Sequence, residues 1–461
     1  MEAYIYLLAL LPLLYILRSL RAFFCSGDRG LRLPPGPWQL PIIGNLHHLF
    51  GALPHRALRD LSRRHGPLML LKLGKVPVIV ASSAEAAKEI MKTHDHIFCT
   101  RPLSSTAKVL NEHGTGITFS PYGAHWRQIR KICVLELLNT KRVKSFRPTR
   151  EEEDRDSDTL LDYVAEAVRL IGGYTLSDLF PSSRLARTLS STLRRAAVFR
   201  DSVLSFLERI IDDHLARRSS KEVHQEDLVD ALLRIKREGN LAFPLTMNHI
   251  KAVILDVFAG GSESPITTLQ WAMTELMQNP SVMSRAQAEV RGAFAGQMKV
   301  TEEGLANLSY LQCIIKETLR LHAPTPLLLP RECQEQCNIL GYDVPKGAIV
   351  LVNAWAISRD PEYWEEPEAF IPDRFMGSKV NYNGNNFEFV PFGAGRRICP
   401  GVLFGIANIE LALASLLFYF DWALPDGILP GDLDMTETMG ISAKKKLDLR
   451  LRATLHVQLP H

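Results

Sequence analysis

The chain has 461 residues, 46% of them hydrophobic and 23% charged, and 54 Lys and Arg against 50 Asp and Glu give a formal net charge of +4. That length and apolar content bury a large core, as one oversized domain or two lobes, and the small charge excludes the strongly basic surface of a nucleic-acid-binding protein. Seven cysteines, Cys25, Cys99, Cys133, Cys313, Cys333, Cys337 and Cys399, are odd in number and scattered, which points away from a disulfide framework and toward a reducing compartment.

From Ala3 to Leu17 the chain is wholly apolar, AYIYLLALLPLLYIL, with Glu2 before it and Arg18, Arg21, Arg29 and Arg32 after it. A secretory signal has its positive charge in front of the apolar run, so this order predicts an anchor helix over residues 1–24. Snorkelling arginine stems extend its usable length, and the bulk of the protein is placed in the cytosol. Residues 25–45 read as a hinge: in Leu33–Asn45, LPPGPWQLPIIGN, prolines 34, 35, 37 and 41 fix φ and remove backbone donors, giving a stiff extended connector. Residues 46–461 are then the globular domain.

Within it, Leu68–Ala81, LMLLKLGKVPVIVA, predicts a hairpin turning at Gly74 and Lys75. Arg127, Lys131, Lys141, Arg142 and Lys144 form a basic stretch that suits docking of an acidic partner, or equally a solvated or lipid-facing surface. The longest helical pattern runs from Thr246, as N-cap, to Gln278, closed by Asn279 and Pro280. Its middle, Ala259–Thr268, reads AGGSESPITT, a poor helix sequence inside a strong helix and so a candidate site. Gly260 and Gly261 would admit a flat cofactor to the backbone, while Glu263 and Ser264 carry exchangeable protons; the plainer reading is a tolerated glycine pair at a helix crossing. In KETLR, Glu317 and Arg320 share one helix face, and Arg374 in PDRF is placed to join them. Ile339–Asn353 reads as a second β unit turning at Pro345–Gly347. Most of the remainder has helical periodicity, so a mainly α body with a small β region is expected. No GxGxxG or GxxxxGK[ST] motif is present.

Phe392–Gly401, FGAGRRICPG, holds Cys399 in a glycine-kinked loop. Gly395 and Gly401 are expected to let backbone amides approach the sulfur, with Arg397 as a nearby cation, an arrangement suited to an axial ligand of haem iron. A buried structural cysteine is the plainer alternative.

Taken in order, PPGPWQLPIIGN, WRQIRK (126–131), AGGSES, KETLR, PDRF and FGAGRRICPG resemble the cytochrome P450 superfamily, and among it the plant microsomal haem-thiolate monooxygenases, over essentially the whole chain. The resemblance implies the P450 fold and haem b, with Cys399 as iron ligand and Phe392 packed beside it. It implies that Trp126, Arg130 and Arg397 hold the propionates, that Glu317, Arg320 and Arg374 form a structural triad, and that Gly261, Glu263 and Ser264 serve oxygen activation. Substrate contacts correspond to Ser104–Ile117, to Asp256, Val257 and Ala259, to Ala323–Leu329 and to Thr438–Ile441. It further implies O2, an NADPH-dependent reductase, a small lipophilic substrate such as a terpenoid or phenolic, and a single-pass endoplasmic reticulum location. A shortened relative that binds haem without turnover, and an enzyme of the same fold that rearranges peroxides, are the other readings; Glu263 and Ser264 speak against the latter, which needs no proton relay.

The chain departs from the family pattern at three places. Ser264 stands where threonine is usual, keeping the hydroxyl but losing the methyl that limits its rotamers. Pro265 cannot donate to the carbonyl of Gly261, and a widened helix turn is expected there. Between Arg150 and Leu160 a stretch worth about two helices is missing, which should expose apolar surface on the long helix or force repacking.

Overall fold

The computed structural model describes residues 30–111, 116–139, 142, 157–172, 175–219, 226–438 and 440–457. The expected anchor over residues 1–24 and the junction after Arg150 lie outside the described residues. What is described is mainly helical with small sheets.

Near-continuous apolar runs, buried on both faces for most of their length, build the first sheet. β1 (Leu68–Leu73) and β2 (Val76–Ala81) pair antiparallel from Leu68 opposite Ala81 to Leu73 opposite Val76. Gly74, at φ 62°, makes the turn, and a Cβ there would lie 2.6 Å from the carbonyl oxygen of Leu179, so only glycine fits. The proline-rich connector has no helix or strand over 31–39, but its end is not extended: Leu40 and Gly44 exchange backbone hydrogen bonds at 2.9 Å across a turn with Ile42 at φ 70°. It belongs to the globule: Leu70 N donates to Pro35 O at 2.9 Å. Asn45 fastens it further, giving its Nδ2 to Pro37 O and Trp38 O at 3.0 Å and taking Lys72 N on Oδ1 at 2.7 Å.

The second β region differs from the expected single unit. β3 (Arg331–Glu332) and β6 (Ile349–Val352) join the first sheet in the order β1-β2-β6-β3, with β6 parallel to β2. β4 (Cys337–Ile339) and β5 (Tyr342–Val344) form a separate hairpin. Its turn uses Leu340 and Gly341, both with positive φ, as a two-residue hairpin requires. The turn at Pro345–Gly347 therefore carries the chain from one sheet to another, a crossover that a continuous apolar run cannot reveal.

The helical body is organised around one long helix. In chain order it comprises α1 (Pro54–His65), α2 (Ala124–Ile132), α3 (Ser157–Ile171), α4 (Ser191–Ser219), α5 (Leu228–Glu238) and α6 (Met247–Gln278). It continues with α7 (Pro280–Ala293), α8 (Ser309–Leu321) and α9 (Val402–Tyr419). Thr246 caps α6 through a box with His249, whose N–H it accepts at 3.3 Å while Thr246 N donates to His249 Nδ1 at 3.1 Å. The helix divides the core. Its N-terminal half, Ile250, Val253 and Ile254, packs with α2, α3, α4 and α5, whereas Ala272, Met273 and Leu276 pack with α7, α8 and α9. α6 stays α-helical across Pro265, so the expected widened turn is not formed.

α9 is long and apolar enough to cross a membrane by composition, with mean hydropathy 1.9, but Leu413, Ala414, Leu417 and Phe418 lie in the core beside α7 and α8. Its other face is open: Leu403 is 56% exposed and Ile266 of α6 is 50% exposed.

Candidate functional site

The cysteine loop is built by backbone geometry. Gly393 and Gly395 take φ near 70°, and Cys399 N closes the loop on Phe392 O at 3.0 Å. The ring of Phe392 packs edge-on against Tyr382 at 5.7 Å. Gly401 N points at the sulfur, 3.4 Å from Cys399 Sγ. Two expectations change here. Gly395 does not serve the sulfur: a Cβ on it would lie 2.1 Å from Met91 O, so it permits the loop to press against the 89–93 turn and lets Arg396 N reach Asp95 at 2.9 Å. The cation that acts on the thiol is Arg130 rather than Arg397. Burial raises the Cys399 thiol above its ordinary range, and the Gly401 amide and Arg130 pull it back down.

Arg397 faces the other way. Its guanidinium donates to Cys99 O and Ser120 O at 2.6 Å and to Ile117 O at 3.4 Å, and lies 4.1 Å over the Trp126 ring. Trp126 Nε1 donates to the same Ile117 carbonyl at 2.9 Å, and Arg130 Nη2 to Ile398 O at 2.6 Å. α2 thus holds Trp126 and Arg130 one turn apart on the face toward the cysteine loop.

The sequence reading missed two further arginines. Arg101 is buried, with Nη1 on Leu329 O and Pro330 O at 2.6 and 2.9 Å, and its Nε has no partner among the described residues. Arg331, also buried, reaches Asp95 at 3.1 Å and Ala394 O at 2.9 Å. Burial drives Arg101 well below its ordinary range, and Arg331, Arg397 and Arg130 push it further. Arg397 is pushed down to about 10 by burial, with Arg331 and Arg130 contributing. Arg331 and Arg396 both ion-pair the buried Asp95 carboxylate, at 3.1 and 3.0 Å, and Arg331, Arg397 and Arg130 are near enough to Arg101 for their charges to act on it. A buried cation cluster of this kind is stabilised by anionic groups, and among the described residues Asp95 is the carboxylate ion-paired within it. One of the two left a trace in the sequence: Arg331 directly follows the apolar run LLLP.

On α6, Gly260 opens onto free space, where a Cβ would meet nothing within 4 Å, and Gly261 gives close approach to Phe404, whose ring would lie 3.3 Å from a Cβ there. The hydroxyl of Ser264 turns back to Gly260 O. Glu263 lies 2.7 Å from Lys444 Nζ. This combination of a thiol acted on by an amide and a guanidinium, an arginine cluster in which Asp95 is the ion-paired carboxylate, and a helix glycine, Gly260, bordering open space fits a flat metal macrocycle bearing two carboxylates, which is what haem is.

Glu317, Arg320 and Arg374 come together, and Glu317 and Arg320 are fully buried. Arg320 Nε and Nη2 grip both oxygens of Glu317 at 2.7 and 2.8 Å, and Arg374 Nε joins at 3.0 Å. Arg320 also donates to the carbonyls of Ser358, Pro367 and Ala369. The triad thereby ties α8 to the loop that leads into the cysteine segment.

Of the expected substrate contacts, Asp256 has a different use. Its Oδ2 accepts Ile117 N at 2.6 Å and Thr118 N at 3.1 Å, clamping that loop to α6. The segments 323–324 and 441–443 are also stitched to the region: Ala443 N donates to Pro324 O, and Trp271 Nε1 to Ala443 O, both at 2.9 Å. Of the basic stretch, Arg127 and Lys131 are exposed on α2, whereas Arg142 is ion-paired to Glu226 at 2.7 Å; Lys141 and Lys144 lie outside the described residues. A cleft of about 250 Å³ between α2 and α5 is lined by none of the expected cofactor or proton-carrying residues.

The cytochrome P450 family model matches residues 34–167 and 149–450. Desmethyl-deoxy-podophyllotoxin synthase of Sinopodophyllum hexandrum is 46% identical over 474 positions, covering 93% of each chain. Salviol synthase of Salvia pomifera is 45% identical with 94% of each covered, and 5-epiaristolochene 1,3-dihydroxylase of Nicotiana tabacum is 43% identical over 97% of this chain and 98% of its own. With motifs, fold and relatives in agreement, the chain belongs to the cytochrome P450 family and is a monooxygenase.

Proposed function

We propose that the chain hydroxylates a small lipophilic metabolite, using haem held by Cys399, with the observation that carries this reading being the cluster of Arg101, Arg130, Arg331 and Arg397. Two propionates would neutralise that cluster, with Trp126 beside them, while Phe392 and Gly401 shape the sulfur's surroundings. When bound, the haem supplies activation of O2. The protein's own residues do the rest. Glu263 and Ser264 present a carboxyl and a hydroxyl one residue apart on α6, to hold and move protons beside the open face of Gly260. Apolar side chains along 257–259 and 323–329 exclude water and orient the substrate. The terpenoid and lignan names of the relatives support that substrate class. Exposed Arg127 and Lys131, on the same helix as Trp126 and Arg130, suit docking of an acidic NADPH-dependent reductase. The order of charge around Ala3–Leu17 supports tethering to the endoplasmic reticulum membrane.

The test is the carbon monoxide difference spectrum of the reduced, full-length protein in membranes. A Soret band at the thiolate-ligated position is expected; a band at the position of a neutral thiol or histidine ligand, or no haem, overturns the reading.

One observation favours a second reading, a shortened relative that binds haem without efficient turnover. The alignment to the first relative runs over 474 positions while using 93% of 461 residues, about 429, so about 45 positions of that relative face no residue here. The two stretches matched by the family model meet at 149–167, and the open side of α9 around Leu403 is consistent with helices absent from that place. A thiolate band without NADPH-dependent oxidation of any terpenoid would favour this reading.

A further inference from the structure

We propose that Lys444 is a positioning residue for the Glu263 carboxyl, making the C-terminal hairpin part of the proton-handling apparatus; this rests on the reading that Glu263 moves protons. Lys444 Nζ stands 2.7 Å from Glu263 Oε1, with the lysine side chain 37% exposed and the carboxyl 12% exposed. The contact is close but out of hydrogen-bond alignment, since Oε1 makes no regular hydrogen bond. The cation therefore fixes the carboxyl's place by charge without locking it into a straight bond.

What makes Lys444 a built feature rather than a chance surface cation is the fixation of its backbone. Lys444 O accepts Thr438 N at 2.8 Å, and Lys446 N donates to Thr436 O at 2.8 Å, closing the hairpin. Ahead of Lys444, Ala443 is held by Pro324 and by Trp271 of α6; after it, Lys445 lies 4.9 Å over the Trp271 ring and donates to Asp434 O. Glu437 pins the hairpin's other strand to α1 through His55 at 2.8 Å and Arg56 at 3.1 Å. From that fixed backbone the Lys444 side chain reaches Glu263. The same hairpin meets the end of α3: a Cβ on Gly172 would lie 2.9 Å from Ile441 N. Whatever occupies the space beside Ile441 thus bears on the strand that carries Lys444.

The experiment uses holoenzyme reconstituted with reductase and NADPH, without added substrate, comparing Lys444→Met, Lys444→Gln, Lys444→Arg and Glu263→Gln. Two quantities are read: the ratio of hydrogen peroxide formed to NADPH consumed, with its solvent isotope effect, and the infrared CO stretch of the reduced carbonyl form, which reports polar groups beside the bound gas. A positioned acid contributes about 10²–10⁴-fold, so losing its positioning partner is expected to raise the peroxide ratio about threefold. Lys444→Met and Lys444→Gln should do so and displace the CO stretch in the direction seen for Glu263→Gln, while Lys444→Arg restores both. If Glu263→Gln changes both readouts and neither neutral Lys444 variant does, Lys444 is a bystander and the proposal is overturned while the proton role of Glu263 stands. If Glu263→Gln itself changes neither, the proton role fails, and the proposal with it. Two neutral side chains of different polarity guard against one misfolding, and failure of both to take up haem, with Lys444→Arg sound, would assign Lys444 a structural role and also overturn the proposal.

Discussion

Replacing Glu410 by glutamine should flatten the dependence of stability on pH. Glu410 sits in the middle of α9, the most apolar long helix described, and burial alone raises its carboxyl from an ordinary 4.5 to about 7. No cation offsets it; its neighbour in the electrostatic sense is the Tyr382 hydroxyl, which burial and the Glu410 charge together push upward. Below pH 4.5 both folded and unfolded chains hold the proton and Glu410 costs nothing. As pH rises from 4.5 toward 7 the unfolded chain releases the proton while the fold retains it, so unfolding is favoured, and the loss is complete above the folded value. The gap between 4.5 and about 7, at about 1.4 kcal/mol per pH unit, bounds the effect at about 3 kcal/mol. Partial access of solvent to this side chain reduces the expectation to about 1–2 kcal/mol. Urea unfolding followed by tryptophan fluorescence, at intervals from about pH 3.5 to about pH 8, should show Glu410→Gln gaining on the parent as pH rises, with nearly equal midpoints at the acid end. Parallel curves would refute the reasoning, because they would mean that Glu410 ionises in the fold as it does in the unfolded chain.

Arg320→Met leaves the Glu317 carboxylate buried without its bidentate partner and should cost about 3–5 kcal/mol, read as loss of haem-loaded protein, whereas Arg374→Lys, at the more accessible corner of the triad, should be milder. Arg101→Met should speed transfer of haem to apomyoglobin yet leave the haem-free chain as stable as the parent or more so, because it removes a buried cation on which the charges of Arg331, Arg397 and Arg130 act unfavourably. Gly395→Ala places a Cβ 2.1 Å from Met91 O at a φ of 69°, and should cost about 1–3 kcal/mol and lower haem content. Gly401→Ala, whose Cβ would lie 3.8 Å from the sulfur, should be tolerated; equal yields for the two would refute the packing argument.

Much of this was legible in the sequence, for reasons that differ by element. The bounds of α6 were readable because Thr246, Asn279 and Pro280 are local punctuation, and the β1–β2 hairpin because Gly74 interrupts an apolar run. The triad was readable through KETLR and PDRF as a resemblance, although spacing alone would have placed Glu317 and Arg320 on a solvent-facing pair. What stayed hidden were long-range contacts: the crossover of Ile349–Val352 into the first sheet, the use of Asp256 as a backbone clamp, the reach of Lys444 to Glu263, and the convergence of Arg101 and Arg331. Each joins residues far apart in the chain, where no periodicity relates them. Gly395 shows the opposite error, a glycine correctly singled out but assigned to the sulfur when its freedom serves packing on Met91.

The crowding of arginines around Asp95 ties the fate of the chain to the supply of its cofactor. Until two carboxylates arrive, the fold carries repelling charges that the unfolded chain spreads through water, so haem uptake and folding are one linked equilibrium. Free haem at one hundred times its dissociation constant would add about 2.7 kcal/mol to stability by mass action. On the proposed function, abundance of this protein in a cell is expected to fall when haem is short, with unloaded chains the fraction that degradation removes.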